Sequence, residues 1–288
     1  MLITTWDAPK NGNIMGSLEV DVGPLQTWMA QVRQRTGVKV TYTHAVIKAV
    51  GLALRACPGL NGHIACGEYW PADSVDVGCL VATERDENDN AVAGQVASPV
   101  AGATGAKKGR TYDLANALLQ DVDGTPVATL AEQLKVSASK IRSGKDKDYE
   151  GTKPLLRMLP NFLIRFILHD IVGFLGNSLG CAIPALGVKP YMFGAAMVTS
   201  VGMMGLDMAW APFTPWANTP LIVTIGAVKD RVVAVDGSAV VRPILMVTAV
   251  VDHRYLDGAD GANVARVVKT VLEHPELLDK DYSRPVDA

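Results

Sequence analysis

At 288 residues the chain has the length of one large domain or two small ones, with ample material for a core. Apolar residues make up 49%, charged residues 19%, and the net charge is -2. That balance excludes a disordered tail and gives no basic excess for nucleic acid. The four cysteines, Cys57, Cys66, Cys79 and Cys181, show neither C-x-x-C spacing nor histidine clustering. They read as buried free thiols of a reduced chain, with no metal site. The N-terminus has no basic flank and no apolar core of signal-peptide length, so a cytoplasmic protein is expected.

Residues 16–22 alternate polar and apolar, as a half-buried strand does. Pro24 opens a helix with Leu25, Trp28, Met29 and Val32 on one face. A second helix, rich in alanine and valine, runs from about Thr43 to Ala56 and stops before Pro58-Gly59. Val75 to Ala82 is the next strand. Residues 84–111 combine a charged run with a Gly, Ala, Ser and Pro tract, a composition that predicts a long surface loop. Thr129 to Arg142 carries Leu130, Leu134, Ala138 and Ile141 at helical spacing.

The segment 154–190 is apolar nearly all round, but Arg157, Pro160, Arg165, His169 and Asp170 interrupt it. No charge-free run reaches the length of a membrane span. The reading is helices packed against a neighbouring subunit, with peripheral membrane contact or partner docking as the minor alternatives. Ala195 to Val201 and Leu221 to Val228 are strands. Asp236-Gly237, between Val232–Val235 and Ala239–Val241, is a hairpin signal. Pro243 to Val251 is a continuous apolar run, which predicts a strand buried on both faces. Together these elements predict an α/β fold: a two-layer sandwich of a mixed, largely antiparallel sheet with flanking helices, in a single domain.

His253 leaves the end of that last strand with Asp252 and Asp257 close by, before a helix with Val264, Val267, Val268 and Val271 on one face. A histidine held beside carboxylates can be fixed in one tautomer and act as a general base near neutral pH. A satisfied strand-end histidine is the bland alternative. No G-x-G-x-x-G, P-loop or G-x-S-x-G sequence is present.

Several motifs agree in order and spacing with one family. Val251-Asp-His-Arg-Tyr-Leu-Asp-Gly-Ala259 resembles the D-H-R-x-x-D-G-A signature of the dihydrolipoamide acyltransferases, the core subunits of 2-oxoacid dehydrogenase complexes. Pro212-Phe-Thr-Pro-Trp-Ala-Asn-Thr-Pro220 is similar to their A-F-T-P-I-I-N-x-P segment. Val198-Thr-Ser-Val-Gly202 sits where they have I-S-N-L-G. Thr43 to Ala49 with Pro58-Gly-Leu-Asn61 resembles their paired helix and P-E-L-N turn. Asp113 to Asp123 with Leu130-Ala-Glu132 resembles their D-L-V-x-x-V-x-x-A-D ahead of L-A-E.

The resemblance implies a chloramphenicol acetyltransferase-like fold and acyl transfer between coenzyme A and a dihydrolipoyl thiol, with no metal. It implies His253 as the base that takes the thiol proton. Thr199, with Ser200 as fallback, becomes the donor to the oxyanion, and Asp257 the residue that holds the active-site loop. It further implies a homotrimer with sites between subunits, and association with lipoyl-bearing or other subunits of a 2-oxoacid dehydrogenase complex.

The chain departs from the pattern in lacking a preceding lipoyl or subunit-binding domain, so the lipoyl group is expected in trans. Residues 84–111 and 154–190 read as insertions. Pro275-Glu-Leu-Leu278 is followed by a polar tail where the family has an apolar tip, which favours a trimer over a cage. Two other readings stay open: a non-catalytic scaffold subunit, and acyl transfer to a different carrier thiol. Condensation domains of peptide synthetases, for example, share H-x-x-x-D-G but usually have a second histidine where this chain has Asp252.

Overall fold

The computed structural model describes residues 12–85, 111–142, 159–184, 188–214 and 216–279. One mixed sheet organises them, and the strands carry it in the order β1 (Asn13–Asp21), β8 (Ser238–Asp252), β7 (Leu221–Val235), β6 (Ala196–Ser200), β4 (Val77–Arg85) and β5 (Thr111–Leu119). The β1–β8, β7–β8 and β4–β5 pairings are antiparallel, whereas β6 is parallel to both β4 and β7. The mixed, largely antiparallel sheet expected from the sequence is the one observed.

Four helices lie on one face: α1 (Gly23–Thr36), α2 (Tyr42–Ala56), α3 (Val127–Arg142) and, near the C-terminus, a helix over Gly258–Glu273. Their apolar residues interleave with Val77, Cys79, Val198, Val223, Val247 and Val251 of the sheet in one continuous core. The second helix is buried from Ala45 to Leu54, which matches its alanine and valine composition. Its Lys48 is fully buried, and the ammonium donates to the carbonyls of Val122 (3.1 Å), Asp123 (2.6 Å) and Thr125 (2.8 Å). A buried cation is tolerated only when its donors are matched in this way.

Among the described residues, the opposite face of the sheet carries no helical layer of that kind. A small cluster of Phe193, Met197, Ala217 and Ile222 packs there with Leu80, Phe213 and Trp216. Side chains alternate along a strand, so Thr199, Thr224 and Thr248 share this second face.

The structure differs from the expected elements in several places. The stretches read separately as Leu221–Val228 with Val232–Val235, and as Ala239–Val241 with Pro243–Val251, are two 15-residue strands. Asp236 and Gly237 turn between them at positive φ of 48 and 79°, the conformation a two-residue hairpin demands. Pro243 fits inside β8, where its carbonyl accepts from the Val22 amide at 3.0 Å. A further hairpin, of β2 (Gly62–Ala65) and β3 (Glu68–Pro71), has no periodic signal in the sequence, because its strands are only four residues each.

Of the cysteines expected to be buried, Cys57 and Cys79 are, while Cys66 and Cys181 are exposed. Burial pushes the Cys79 thiol up to about 12. The 154–190 segment contains a short helix, α4 (Asn161–Phe166), continued by a π-helical stretch over Ile167–Ser178. It leaves Phe162, Phe166 and Phe174 exposed. No helix among the described residues is long and apolar enough to cross a membrane. The loop expected over 84–111 falls mostly outside the described residues.

Candidate active site

His253 stands just past the end of β8, on an exposed turn between the sheet and α5 (Gly258–Glu273). Its amide donates to the Gly12 carbonyl at 3.1 Å, tying the turn to the start of β1. Asp252 does not take the tautomer-fixing job that its place beside His253 suggests, while Asp257 bonds the backbone that follows the turn. Asp252, buried at the strand end, pairs with Arg254: it accepts from the guanidinium at 2.5 and 3.0 Å and from the Arg254 amide at 3.0 Å. Such a multiply bonded pair sets the turn geometry rather than an imidazole tautomer.

Asp257 is the N-cap of α5. It accepts from the amides of Ala259 (2.8 Å) and Asp260 (3.0 Å). Those two donors, and then the nearby charge of His253, hold its carboxyl below the usual aspartate range. Among the described residues neither carboxylate hydrogen-bonds the His253 ring.

Tyr255 anchors the same turn from the other side. Its hydroxyl accepts from the Ile64 amide at 2.9 Å, its ring meets Tyr69 edge-on, and burial raises it to about 12. Nothing local in the sequence marks this anchor, because it depends on the β2–β3 hairpin.

Thr199 lies on β6 at the other end of the sheet. Strand register puts it level with Thr224 on β7, which is level with Thr248 on β8. His253 is five residues beyond Thr248. At about 3.3 Å per residue and about 4.8 Å per strand, the two are separated by about 15–20 Å in one chain. The structure therefore brings His253 and Asp257 together but keeps both away from Thr199. Ser200, one residue on, points toward the helical side of the sheet and is half-buried.

Beyond Ser200 the chain folds back over β7 and β8. The Ala227 amide donates to the Leu206 carbonyl at 3.0 Å, Lys229 pairs with Asp207 at 2.6 Å, and the Thr248 hydroxyl donates to the Ala209 carbonyl. Gly226 is required under this loop, since a Cβ there would overlap the Asp207 carbonyl oxygen. The loop presents Met203 (81% exposed), Met204, Leu206, Met208 and Trp210 to the outside. An apolar set of this size on one short loop is the mark of a surface that is covered in use.

Comparison with known proteins addresses the same frame. Residues 188–279, which hold β6, β7, β8 and α5, match the model of the 2-oxoacid dehydrogenases acyltransferase (catalytic domain) family. The acyltransferase relatives include the succinyltransferase component of the 2-oxoglutarate dehydrogenase complex of Haemophilus influenzae, 24% identical over 270 residues. That match covers 90% of this chain and 48% of the relative. The acetyltransferase component of the Staphylococcus aureus pyruvate dehydrogenase complex is 40% identical over 68 residues, 23% of this chain and 16% of the relative.

The chain thus spans about half the length of the curated relatives that align along most of it. Dihydrolipoamide acetyltransferase of Azotobacter vinelandii has the same fold at a TM-score of 0.62 and 17% identity, covering 93% of this chain and 84% of that one. A probable dihydrolipoamide acetyltransferase of Listeria monocytogenes superposes at 0.59 with 18% identity, covering 96% and 88%.

Proposed function

We propose that this chain is an acyltransferase that moves an acyl group between coenzyme A and a dihydrolipoyl or related thiol, in an active site completed by a second copy of itself. His253 takes the proton from the attacking thiol, which with a pKa of about 8.5 is mostly protonated at neutral pH. The sulfur then attacks the thioester carbonyl, and the oxyanion that forms accepts a hydrogen bond from the Thr199 hydroxyl. Collapse restores the carbonyl and expels the other thiolate, which takes the proton back from His253. Asp257 keeps the His253 turn rigid by capping α5 and places a negative charge near the imidazolium.

One observation carries this reading. His253 sits on an internally braced turn, yet it is too far from Thr199 in its own chain to share a substrate with it. Two copies arranged head to tail about a closed rotation axis would bring His253 of each to Thr199 of the next, and the methionine-rich loop beside Thr199 is apolar enough to be covered by such contacts. In the Azotobacter vinelandii acetyltransferase, crystallography and enzymology have addressed the catalytic role of a serine, a histidine and an asparagine, the last two four positions apart. His253 and Asp257 have the same spacing. A homotrimer, a lipoyl group supplied by another chain, association with 2-oxoacid dehydrogenase subunits and a cytoplasmic setting belong to the same proposal.

The test is acyl exchange between a panel of acyl-coenzyme A thioesters and dihydrolipoamide. Removal of a general base costs about 10²–10⁴ in rate, so His253→Ala should abolish measurable exchange while leaving the oligomer intact. Unchanged turnover in His253→Ala would remove the assignment.

A further inference from the structure

We propose that Thr224 is a second hydroxyl donor to the oxyanion, acting beside Thr199. This rests on the acyl-transfer reading above and adds to it a residue on a different strand. Thr199 and Thr224 are register partners on the adjacent parallel strands β6 and β7, and both lie on the sheet face opposite the four packed helices. Their exposures are 9% and 2%.

Among the described residues neither hydroxyl makes a hydrogen bond. Thr248, the next in the same row, gives its hydroxyl to the Ala209 carbonyl and so fastens the covering loop. Thr199 and Thr224 thus present two adjacent hydroxyls with no protein partner among the described residues, in a sheet whose buried side chains are mostly apolar. A hydroxyl that bonds nothing in its own chain adds little to stability, and valine would fill the same volume with better strand propensity.

The spacing explains what the pair fits. Two donors that each approach one oxygen to about 2.8 Å, at an angle of about 110–120°, stand about 4.6–4.8 Å apart. Neighbouring strands are separated by about 4.8 Å. An oxygen that gains charge between Thr199 and Thr224 can therefore accept from both, whereas the less charged carbonyl oxygen of the thioester gains less from the second donor. That difference between ground and transition state is what raises a rate. No proton leaves either threonine in the step.

The test compares wild type, Thr224→Val, Thr224→Ser, Thr199→Ala and the double variant Thr199→Ala/Thr224→Val in the full chain. Acetyl- and succinyl-coenzyme A serve as donors and dihydrolipoamide as acceptor. Thr224→Val should lower kcat about 10- to 100-fold with KM for the thioester within about twofold, as expected for one hydrogen bond to a developing charge. Thr224→Ser should recover most of the rate. The melting temperature of Thr224→Val should equal or exceed that of wild type, which a hydroxyl kept for stability would not allow.

In the Thr199→Ala background the valine substitution should cost a further factor of similar size. If it costs nothing there, Thr224 acts only through Thr199 and the proposal is overturned. Exchange lost in His253→Ala but unchanged in Thr224→Val overturns the role of Thr224 alone. No exchange by wild type removes both readings.

Discussion

The two ends of the strands β6 to β8 are built on opposite plans. At the His253 end the turn is held by local partners: Asp252 holds Arg254, Asp257 caps α5, Tyr255 reaches Ile64, and the His253 amide reaches Gly12. At the Thr199 end, Thr199 and Thr224 lack hydroxyl partners among the described residues, and the neighbouring loop exposes methionines. The difference separates what a chain must fix for itself from what it leaves for a neighbour or a substrate. On the proposed reading, a general base must be aimed, which the braced turn provides. The proposed oxyanion pocket must be empty to work, and its surroundings would be finished by contact.

The sharpest way to break this comparison is to divide the two ends between chains. His253→Ala and Thr199→Ala proteins should each be inactive. Dissociated together in equal amounts and reassembled, they should regain about a quarter of wild-type exchange, because that fraction of inter-subunit sites pairs an intact histidine with an intact threonine. A site contained within one chain would show no recovery on mixing.

A smaller effect is expected at Asp257. Asparagine caps a helix about as well as aspartate, and alanine does not. Asp257→Ala should lower both the melting temperature and kcat, while Asp257→Asn should keep the former and much of the latter. Equal losses in both variants would assign the effect to the charge rather than to the cap.

The smallest effect concerns stability against pH. His63 is buried against Tyr191, with ring centroids 4.1 Å apart, and burial lowers it to about 4. His44, whose Nδ1 accepts from the Thr41 amide at 3.0 Å, is likewise lowered to about 4 by burial. Each stays neutral in the folded chain and would be protonated in the unfolded one below pH about 6.5. Stability should therefore fall as the pH drops from about 6.5 toward 4, and be independent of these groups above that window. The slope of the melting temperature over that range should be shallower in His63→Gln than in wild type.

Much of the architecture was legible in the sequence because it rests on local periodicity and turn chemistry. The faces of α1 and α3, the apolar run of β8, and Asp236-Gly237 at the head of the long hairpin each follow from neighbours within a few residues. The four-residue strands β2 and β3 are too short to show a period. Pro243 looks like a boundary, because nothing local reveals that its carbonyl is used by Val22. The site was legible only in part for the same reason. His253 and Asp257 are four residues apart on one turn, so their association is local. Their relation to Thr199 depends on strand order and register.

The sequence by itself determined the α/β class and the main helices, and it singled out the histidine and hydroxyl of the proposed acyl transfer. Only the tertiary structure decided that Asp252 serves Arg254 and that Asp257 serves the helix. It also decided that Thr199 stands beside Thr224 while His253 lies at the far end of the same strands. The physical reason is that a strand's register sets distances between residues far apart in the chain, and register is fixed by the packing of the whole sheet.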